Sequence, residues 1–174
     1  MPRFYASVYA ISRAAAVVSA LAVTYMLGHI ALEIVLRTVF ATSTFVLDEF
    51  VGYAVFIAVI FSLGYVLEHD DLIRVALVIE RLPRHTRDLL TALAAGLSCA
   101  GALGLAWMFW LRAARAFSRG TVSTSIAAVP TWIPQGLMLI GLLVFALQLF
   151  AYGLRHLTGH PSPAPRGAPQ MPPE

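Results

Sequence analysis

The sequence has few charges, no lysine and a single cysteine. Charged residues make up 12% of its 174 residues, whereas a typical soluble domain has about 25%. All 12 basic residues are therefore arginine, and Cys99 has no second cysteine with which to form an intramolecular disulfide. Because 59% of the chain is hydrophobic and its mean hydropathy is +0.79, we interpret it as a protein whose solvent is lipid.

The sequence also lacks the motifs of common enzyme classes. It contains no Gly-rich phosphate loop of the Walker type, no HExxH and no GxSxG. Its histidines are not spaced as metal ligands, and no basic stretch is interleaved with aromatic residues as in nucleic-acid binding. We therefore predict that the protein is not an enzyme, that it has no catalytic, cofactor-binding or metal-binding residues, and that nucleic acid is not a partner.

Four apolar runs are each long enough to cross a bilayer, which takes about 20 residues. They cover residues 14–36, 45–67, 89–111 and 132–152. The first run is longer than the apolar core of a signal peptide, so we interpret it as a retained helix. Together the runs predict an all-α integral membrane protein with four transmembrane helices, and they leave no room for a soluble catalytic domain.

The predicted helices form one membrane domain, residues 14–156, between two short ends. Residues 1–13 form the N-terminus, and residues 157–174 are rich in proline, which predicts a disordered tail. Between helices 2 and 3, residues 72–82 mix apolar side chains with charges and are too short to span. They predict a short helix lying at the membrane interface, with a buried connector as the alternative.

Arginine is distributed unequally between the two ends of the predicted bundle. Eight arginines lie in the N-terminus, the middle loop and the C-terminus, and four lie on the opposite side. Cytoplasmic segments of membrane proteins carry the excess of positive charge. We therefore expect a multi-pass protein of the bacterial inner membrane with both termini in the cytoplasm.

Helix 1 carries a polar stripe. Tyr25, His29, Glu33 and Arg37 are spaced four residues apart, so they share one helix face. Ionisable groups within a span usually face other helices and pair with one another. We favour a Glu33–Arg37 pair that orients helix 1 over a proton or ion path, because helices 3 and 4 have no ionisable groups in their cores.

Two carboxylates open helix 2. Asp48 and Glu49 lie in its first turn, where the helix dipole stabilises negative charge. The preceding turn is short enough to bring Arg37 near either of them. A hairpin ion pair and recognition of a partner subunit both remain open for these three residues.

The C-terminal end of helix 3 is basic. Arg112, Arg115 and Arg119 place positive charge on the side that the positive-inside rule leaves poor in it. They suit contact with lipid headgroups, which we favour, or periplasmic docking of a soluble partner with an acidic face.

Small residues recur every four positions in three of the predicted helices, which in lipid favours close helix packing. The rows are Ala16, Ala20, Thr24 and Gly28 in helix 1, Ala54, Ala58 and Ser62 in helix 2, and Gly96, Ala100 and Gly104 in helix 3. We expect them to pack within the bundle or onto a larger protein, with a general excess of alanine as the alternative.

Three segments carry a resemblance to a known family. An arginine ends helix 1 within residues 35–40, and acidic residues then open helix 2; residues 73–83 form the middle segment, and residues 123–136 lead into helix 4. In order and spacing these segments resemble the small membrane subunit of tripartite ATP-independent periplasmic (TRAP) transporters, the DctQ-like family. The resemblance covers roughly residues 15–155.

The resemblance implies a small permease subunit that scaffolds a large, many-helix membrane subunit. It implies sodium-coupled uptake of an organic anion, which a soluble periplasmic binding protein delivers. It also implies structural or interface roles for Arg37 and Glu49, with no substrate or sodium site in this chain. The chain departs from the family pattern at Leu72 and Ala76, where relatives usually have histidine and aspartate.

Two other functions fit four helices. A haem or quinone anchor of a redox complex needs axial histidines within the bundle, and only His29 lies well inside a predicted span. A small self-contained channel is suggested only by the polar stripe of helix 1.

Overall fold

The computed structural model describes residues 2–69 and 83–159, which form four long helices. These are α1 (Pro2–Val39), α2 (Leu47–Glu68), α3 (Arg84–Arg119) and α4 (Trp132–Thr158). Each is long and apolar enough to cross a membrane, which confirms the all-α prediction with four transmembrane helices. The interfacial helix predicted for residues 72–82 lies outside the described residues, as does most of the proline-rich tail.

Two helices, α1 and α3, are much longer than their apolar runs. Helix α1 begins at Pro2 rather than at residue 14, and its 38 residues measure about 57 Å at about 1.5 Å per residue. The first turns of α1 remain helical because they pack along the end of α4. Tyr5 and Val8 are buried against Ala151, and the Tyr5 hydroxyl lies 3.2 Å from Oγ1 of Thr158. Hydropathy identifies the part of a helix that lies in lipid. It does not detect an extension that is stabilised by packing against another helix.

Helix α4 is the centre of the bundle. It packs against α1, α2 and α3, whereas the main contact of α3 is with α4 alone. One core cluster joins α1, α2, α3 and α4 through Ala15, Ile60, Ala106 and Leu142. The bundle is therefore asymmetric, with α3 as its outermost helix.

Glycine permits close approach at two crossings of the bundle. A Cβ added at Gly141 of α4 would lie 2.6 Å from Cγ2 of Ile60, and one at Gly64 of α2 would lie 2.9 Å from the Ser12 hydroxyl of α1. Since lipid supplies little hydrophobic force between helices, such close packing stabilises their association.

The small residues of α3 do not all face the same neighbour. The face of α3 toward α4 carries Ala95, Ala102 and Ala106. Gly96 lies at the edge of this face, in a groove that α4 also lines, and Gly104 lies on the outward face; an added Cβ at either glycine would meet nothing within 4 Å. Four residues turn a helix by more than one full turn, so a row spaced strictly by four winds off the contact face, and alternating steps of three and four stay on it.

The fold has two distinct ends. Both described chain ends lie at what we call the terminal end, because the start of α1 contacts the end of α4. The connections between α1 and α2, residues 40–46, and between α3 and α4, residues 120–131, lie at the opposite end, which we call the loop end.

Candidate functional site

Glu33 organises the first connection of the loop end. Its side chain is 2% exposed although it lies near the end of α1. The Nε of Arg37 donates to it at 2.8 Å, and Thr44 donates from its backbone N–H at 3.1 Å and from its hydroxyl at 2.7 Å. The Ser43 hydroxyl donates as well. A single carboxylate therefore fixes the connection to α1, and we call this set of contacts the first latch.

The first latch holds a strained backbone. Ala41 and Phe45 have φ angles of 50° and 59°, in the left-handed region that side chains disfavour. Such a conformation costs on the order of 1–3 kcal/mol and persists where surrounding contacts determine it. The Phe45 N–H also donates to the Ser43 hydroxyl at 3.1 Å, so the strained residue is tied directly to the latch.

Arg37 does not form the hairpin ion pair that was one of the two options open for it. The structure pairs Arg37 with Glu33 one turn earlier in α1, and not with Asp48 or Glu49 across the hairpin. Residues four apart on a helix are already neighbours, so this pair forms without any folding of the connection. Asp48 is exposed and makes no ion pair within the described residues.

The rest of the helix 1 stripe lies along α2. The Tyr25 hydroxyl is 3.2 Å from Nδ1 of His29, and the His29 ring stacks on Phe50 with centroids 6.3 Å apart. The other ring nitrogen, Nε2 of His29, is buried and has no hydrogen-bond partner among the described residues. The stripe thus forms a helix contact, consistent with an orienting role.

Glu49 organises the second connection in the same way. The Tyr53 hydroxyl donates to its Oε1 at 2.6 Å, and the Ser125 hydroxyl donates to its Oε2. The Ser123 and Ser125 hydroxyls are 2.9 Å apart, which brings Ser123 into the same cluster. We call these contacts the second latch, and they tie the connection between α3 and α4 to the first turn of α2.

The connection that the second latch holds is a narrow hairpin. The Ser123 N–H donates to the Val129 carbonyl at 2.8 Å, and the Thr131 N–H donates to the Thr121 carbonyl at 3.0 Å. Ala128 has a φ of 45°, so strain occurs here too. Behind the hairpin, α2 and α4 enclose an apolar cavity of about 200 Å³ that Val129 helps to line.

The surface of the loop end is positively charged. Its exposed charged side chains are Arg37, Arg112, Arg115, Arg119 and Asp48. The other two carboxylates of this end, in the latches, are turned to partners within the chain. Apolar side chains of both connections are exposed beside these arginines: Phe40, Phe45 and Ile126.

A second polar cluster, at the terminal end, was missed from the sequence. The Ser12 hydroxyl of α1 donates to Oε1 of Gln148 at 2.8 Å, and Nε2 of Gln148 donates to Oε2 of Glu68 at 2.7 Å. Arg155 pairs with the other Glu68 oxygen, and its guanidinium lies 4.9 Å from the centre of the Tyr152 ring. All of these side chains are buried. We call this cluster the polar clamp, because it joins α1, α2 and α4.

The sequence contains only a weak indication of the polar clamp. Glu68 and Arg155 each follow an apolar run, so both look like ordinary boundary residues that face water. Gln148 is an isolated amide within the apolar run of helix 4, and an amide in lipid needs a partner on another helix. That residue alone could have indicated a buried polar contact, although not with which helix.

Within residues 2–69 and 83–159, no three side chains of histidine, cysteine, aspartate or glutamate come together in a group able to hold a metal ion.

These features define a multi-pass membrane subunit of four helices whose polar residues connect its own elements. The sequence profile of the family described as tripartite ATP-independent periplasmic transporters, DctQ component, matches residues 26–159, which is more than half of the chain. The chain belongs to this family. Searches of curated proteins and of solved structures returned no match.

Membership defines the general role. The protein is the small permease component of a TRAP transporter, it is located in the inner membrane, and it is not an enzyme. The family implies two protein partners, the large membrane subunit and a soluble binding protein.

Proposed function

We propose that this chain is a rigid scaffold for the large membrane subunit during sodium-coupled uptake of an organic anion. The observation that carries the proposal is that the inward-facing carboxylates in the described part of the chain are already bound by its own residues. Glu33 and Glu68 are buried, and their oxygens accept hydrogen bonds from neighbouring elements; Glu49 is bound in the same way. Carboxylates occupied in this manner brace helices and loops, and are not free to bind a moving ion or substrate.

The proposed orientation places the loop end in the periplasm. Eight arginines belong to the N-terminus, the middle segment and the C-terminus, against four at the loop end. The excess favours a cytoplasmic terminal end. The polar clamp then lies at the cytoplasmic side of the membrane, and both latches lie at the periplasmic side.

The loop end is the surface that we propose for docking of the soluble binding protein. Two of its exposed arginines, Arg37 and Arg119, favour an acidic face on that protein, and the exposed apolar tips of both connections add contact area. Since the latches hold strained connections in place, the surface is already ordered before docking. A pre-ordered surface loses less conformational entropy on binding and therefore binds more tightly.

Purification of the tagged chain from its native host tests the scaffold role. We expect mild detergent to release it with a large, many-helix membrane protein in a ratio near one to one, identified by mass spectrometry. Arg37→Ala and Glu49→Ala then test whether these residues support assembly. Recovery of a homo-oligomer without that partner favours a channel, and a coloured complex with a redox enzyme favours a haem or quinone anchor; either result contradicts the scaffold.

A further inference from the structure

The outward face of α3 is open to the membrane within the described residues. Ala95, Ala102 and Ala106 form the face toward α4. Leu97, which is 78% exposed, and Met108, which is 51% exposed, lie on the opposite side of the same helix. Because the main contact of α3 is with α4, this opposite side has no protein cover in the chain itself.

The three arginines at the end of α3 continue this outward face. At 100° per residue, Arg112, Arg115 and Arg119 follow one another at steps of three and four and lie about 100°, 160° and 120° around the helix from the alanines that contact α4, with Arg115 nearly opposite them. All three are exposed, and none forms an ion pair within the part of the chain that the structure describes. Their positive charge is therefore available to the lipid or protein that surrounds the bundle.

Helix length places these arginines at different heights. The 36 residues of α3 measure about 54 Å, more than the roughly 30 Å of bilayer hydrocarbon or the roughly 40–45 Å that includes the headgroups. The apolar run ends at Leu111. From there Arg115 is about 6 Å farther along the axis and Arg119 about 12 Å, whereas the headgroup layer is roughly 5–8 Å deep.

Exposed tryptophans mark the same boundary. Trp107 and Trp110 lie within about one turn of Leu111 and are 64% and 54% exposed. Tryptophan is enriched where hydrocarbon meets headgroups. With the boundary at this height, Arg112 and Arg115 lie at the level of the lipid phosphates and Arg119 lies beyond them.

We propose that Arg112 and Arg115 form a binding site for the phosphate groups of phospholipids in the leaflet at the loop end. A guanidinium donates two parallel hydrogen bonds to phosphate oxygens, and two arginines one turn apart suit neighbouring phosphates. The outward face of α3 then contacts acyl chains, while its arginines hold the headgroups. This site goes beyond the scaffold role and does not depend on which substrate the transporter carries.

Native mass spectrometry of the delipidated transporter complex, titrated with phosphatidylglycerol, tests the site. We expect the double substitution Arg112→Gln with Arg115→Gln to weaken phosphatidylglycerol binding about 30-fold, since each arginine at a membrane surface contributes roughly fivefold. The matched control Arg119→Gln changes binding less than about twofold. Diacylglycerol, which has no phosphate, binds equally to the wild type and the double variant.

Three outcomes overturn the proposal. One is unchanged phosphatidylglycerol binding in the double variant. Another is loss of the large subunit from the purified double variant while its lipid binding persists, which makes this face a subunit interface. The third is loss of soluble-partner binding alone, which makes the arginines part of the docking surface. If the double variant does not fold, the single substitution Arg115→Gln, with an expected weakening of about fivefold, gives the same decision.

Discussion

Glu33 shows how one residue determines the conformation of a loop several residues away. The i, i+4 spacing alone predicts its pair with Arg37, and the structure contains that pair. The larger part of its effect comes from Ser43 and Thr44, which only the folded connection brings near. An exposed arginine and two loop residues therefore share one buried carboxylate, which makes Glu33 the residue on which the first latch depends.

Replacing Glu33 by glutamine is expected to loosen residues 40–46. The neutral amide keeps the size of the side chain but loses the charge that several donors share, and hydrogen bonds to a charged group are stronger than those to a neutral one. We expect hydrogen exchange in residues 40–46 to increase and the free energy of unfolding to fall. Asp48→Asn is the matched control, since Asp48 is exposed. Equal exchange in both variants contradicts the latch.

The latches mark the limit of what the sequence could predict about single residues. Contacts within a helix, such as Tyr25 with His29, follow from spacing and are present. Contacts such as Ser125 with Glu49 join residues far apart in the chain, and they depend on how the hairpin folds back over α2. Helical spacing predicts the first kind of contact and carries no information about the second.

At the scale of helices, apolar runs predicted the number of elements and not their lengths. All four predicted runs lie within observed helices except for the start of the second, which begins at Leu47. The extension of α1 toward Pro2 was missed because its inward residues, among them Tyr5, Val8 and Ser12, are mixed with polar residues that face outward. Packing against α4 maintains this extension, and packing cannot be read from hydropathy.

The polar clamp gives a prediction about how α1, α2 and α4 stay together. Arg155→Met leaves Glu68 buried and without its guanidinium, and removing one partner of a buried pair costs about 3–5 kcal/mol. We expect a clear fall in thermal stability in detergent. The double substitution Glu68→Gln with Arg155→Met removes both charges and keeps an oxygen acceptor for Gln148, and we expect it to recover most of the loss, because no buried charge is then left without a partner.

Arg13→Met is the control for the clamp. Arg13 lies one residue after Ser12 in α1, is exposed, and forms no ion pair within the described ranges. We expect its loss to change stability by less than about 0.5 kcal/mol. A double variant no more stable than Arg155→Met contradicts the clamp as an ion pair.

At the scale of the whole molecule, the orientation in the membrane decides what each end can contact. A Cys99→Ala background, with one new cysteine at Ser118 or at Ser7, tests it directly. Both serines are exposed, the first near the loop end and the second near the terminal end. In intact spheroplasts we expect a membrane-impermeant maleimide to label Ser118→Cys and not Ser7→Cys. The reverse pattern requires the loop end to be cytoplasmic and excludes the proposed docking surface.

The two ends of the molecule differ in how they use polar residues. The polar clamp is buried and closes the terminal end on itself. The latches also use buried carboxylates, but they leave arginines and apolar tips exposed at the loop end. The terminal end also exposes arginines, Arg3 and Arg13, and apolar side chains, Phe4 and Leu157. The proposal of docking at the loop end therefore depends on its proposed periplasmic orientation.

Loosening the hairpin without changing its exposed surface tests whether order itself supports docking. Ser125→Ala removes a hydroxyl that donates to Glu49, and it does not change the exposed arginines or Ile126. We expect the affinity of the soluble binding protein for the assembled complex to fall about three- to tenfold, because docking must then order residues 121–131. Recovery of the large subunit should not change.

Ser118→Ala is the matched control for this substitution, because its hydroxyl bonds only within α3, to the Arg115 carbonyl at 3.1 Å. In the wild type, affinity measured by surface plasmon resonance should also fall as ionic strength rises, since exposed charges are screened beyond about 10 Å at 0.1 M salt. A Ser125→Ala complex with unchanged affinity shows that the hairpin does not need to be ordered before docking. Affinity that does not respond to salt shows that the arginines do not contact an acidic face, and docking then depends on the apolar tips of the two connections.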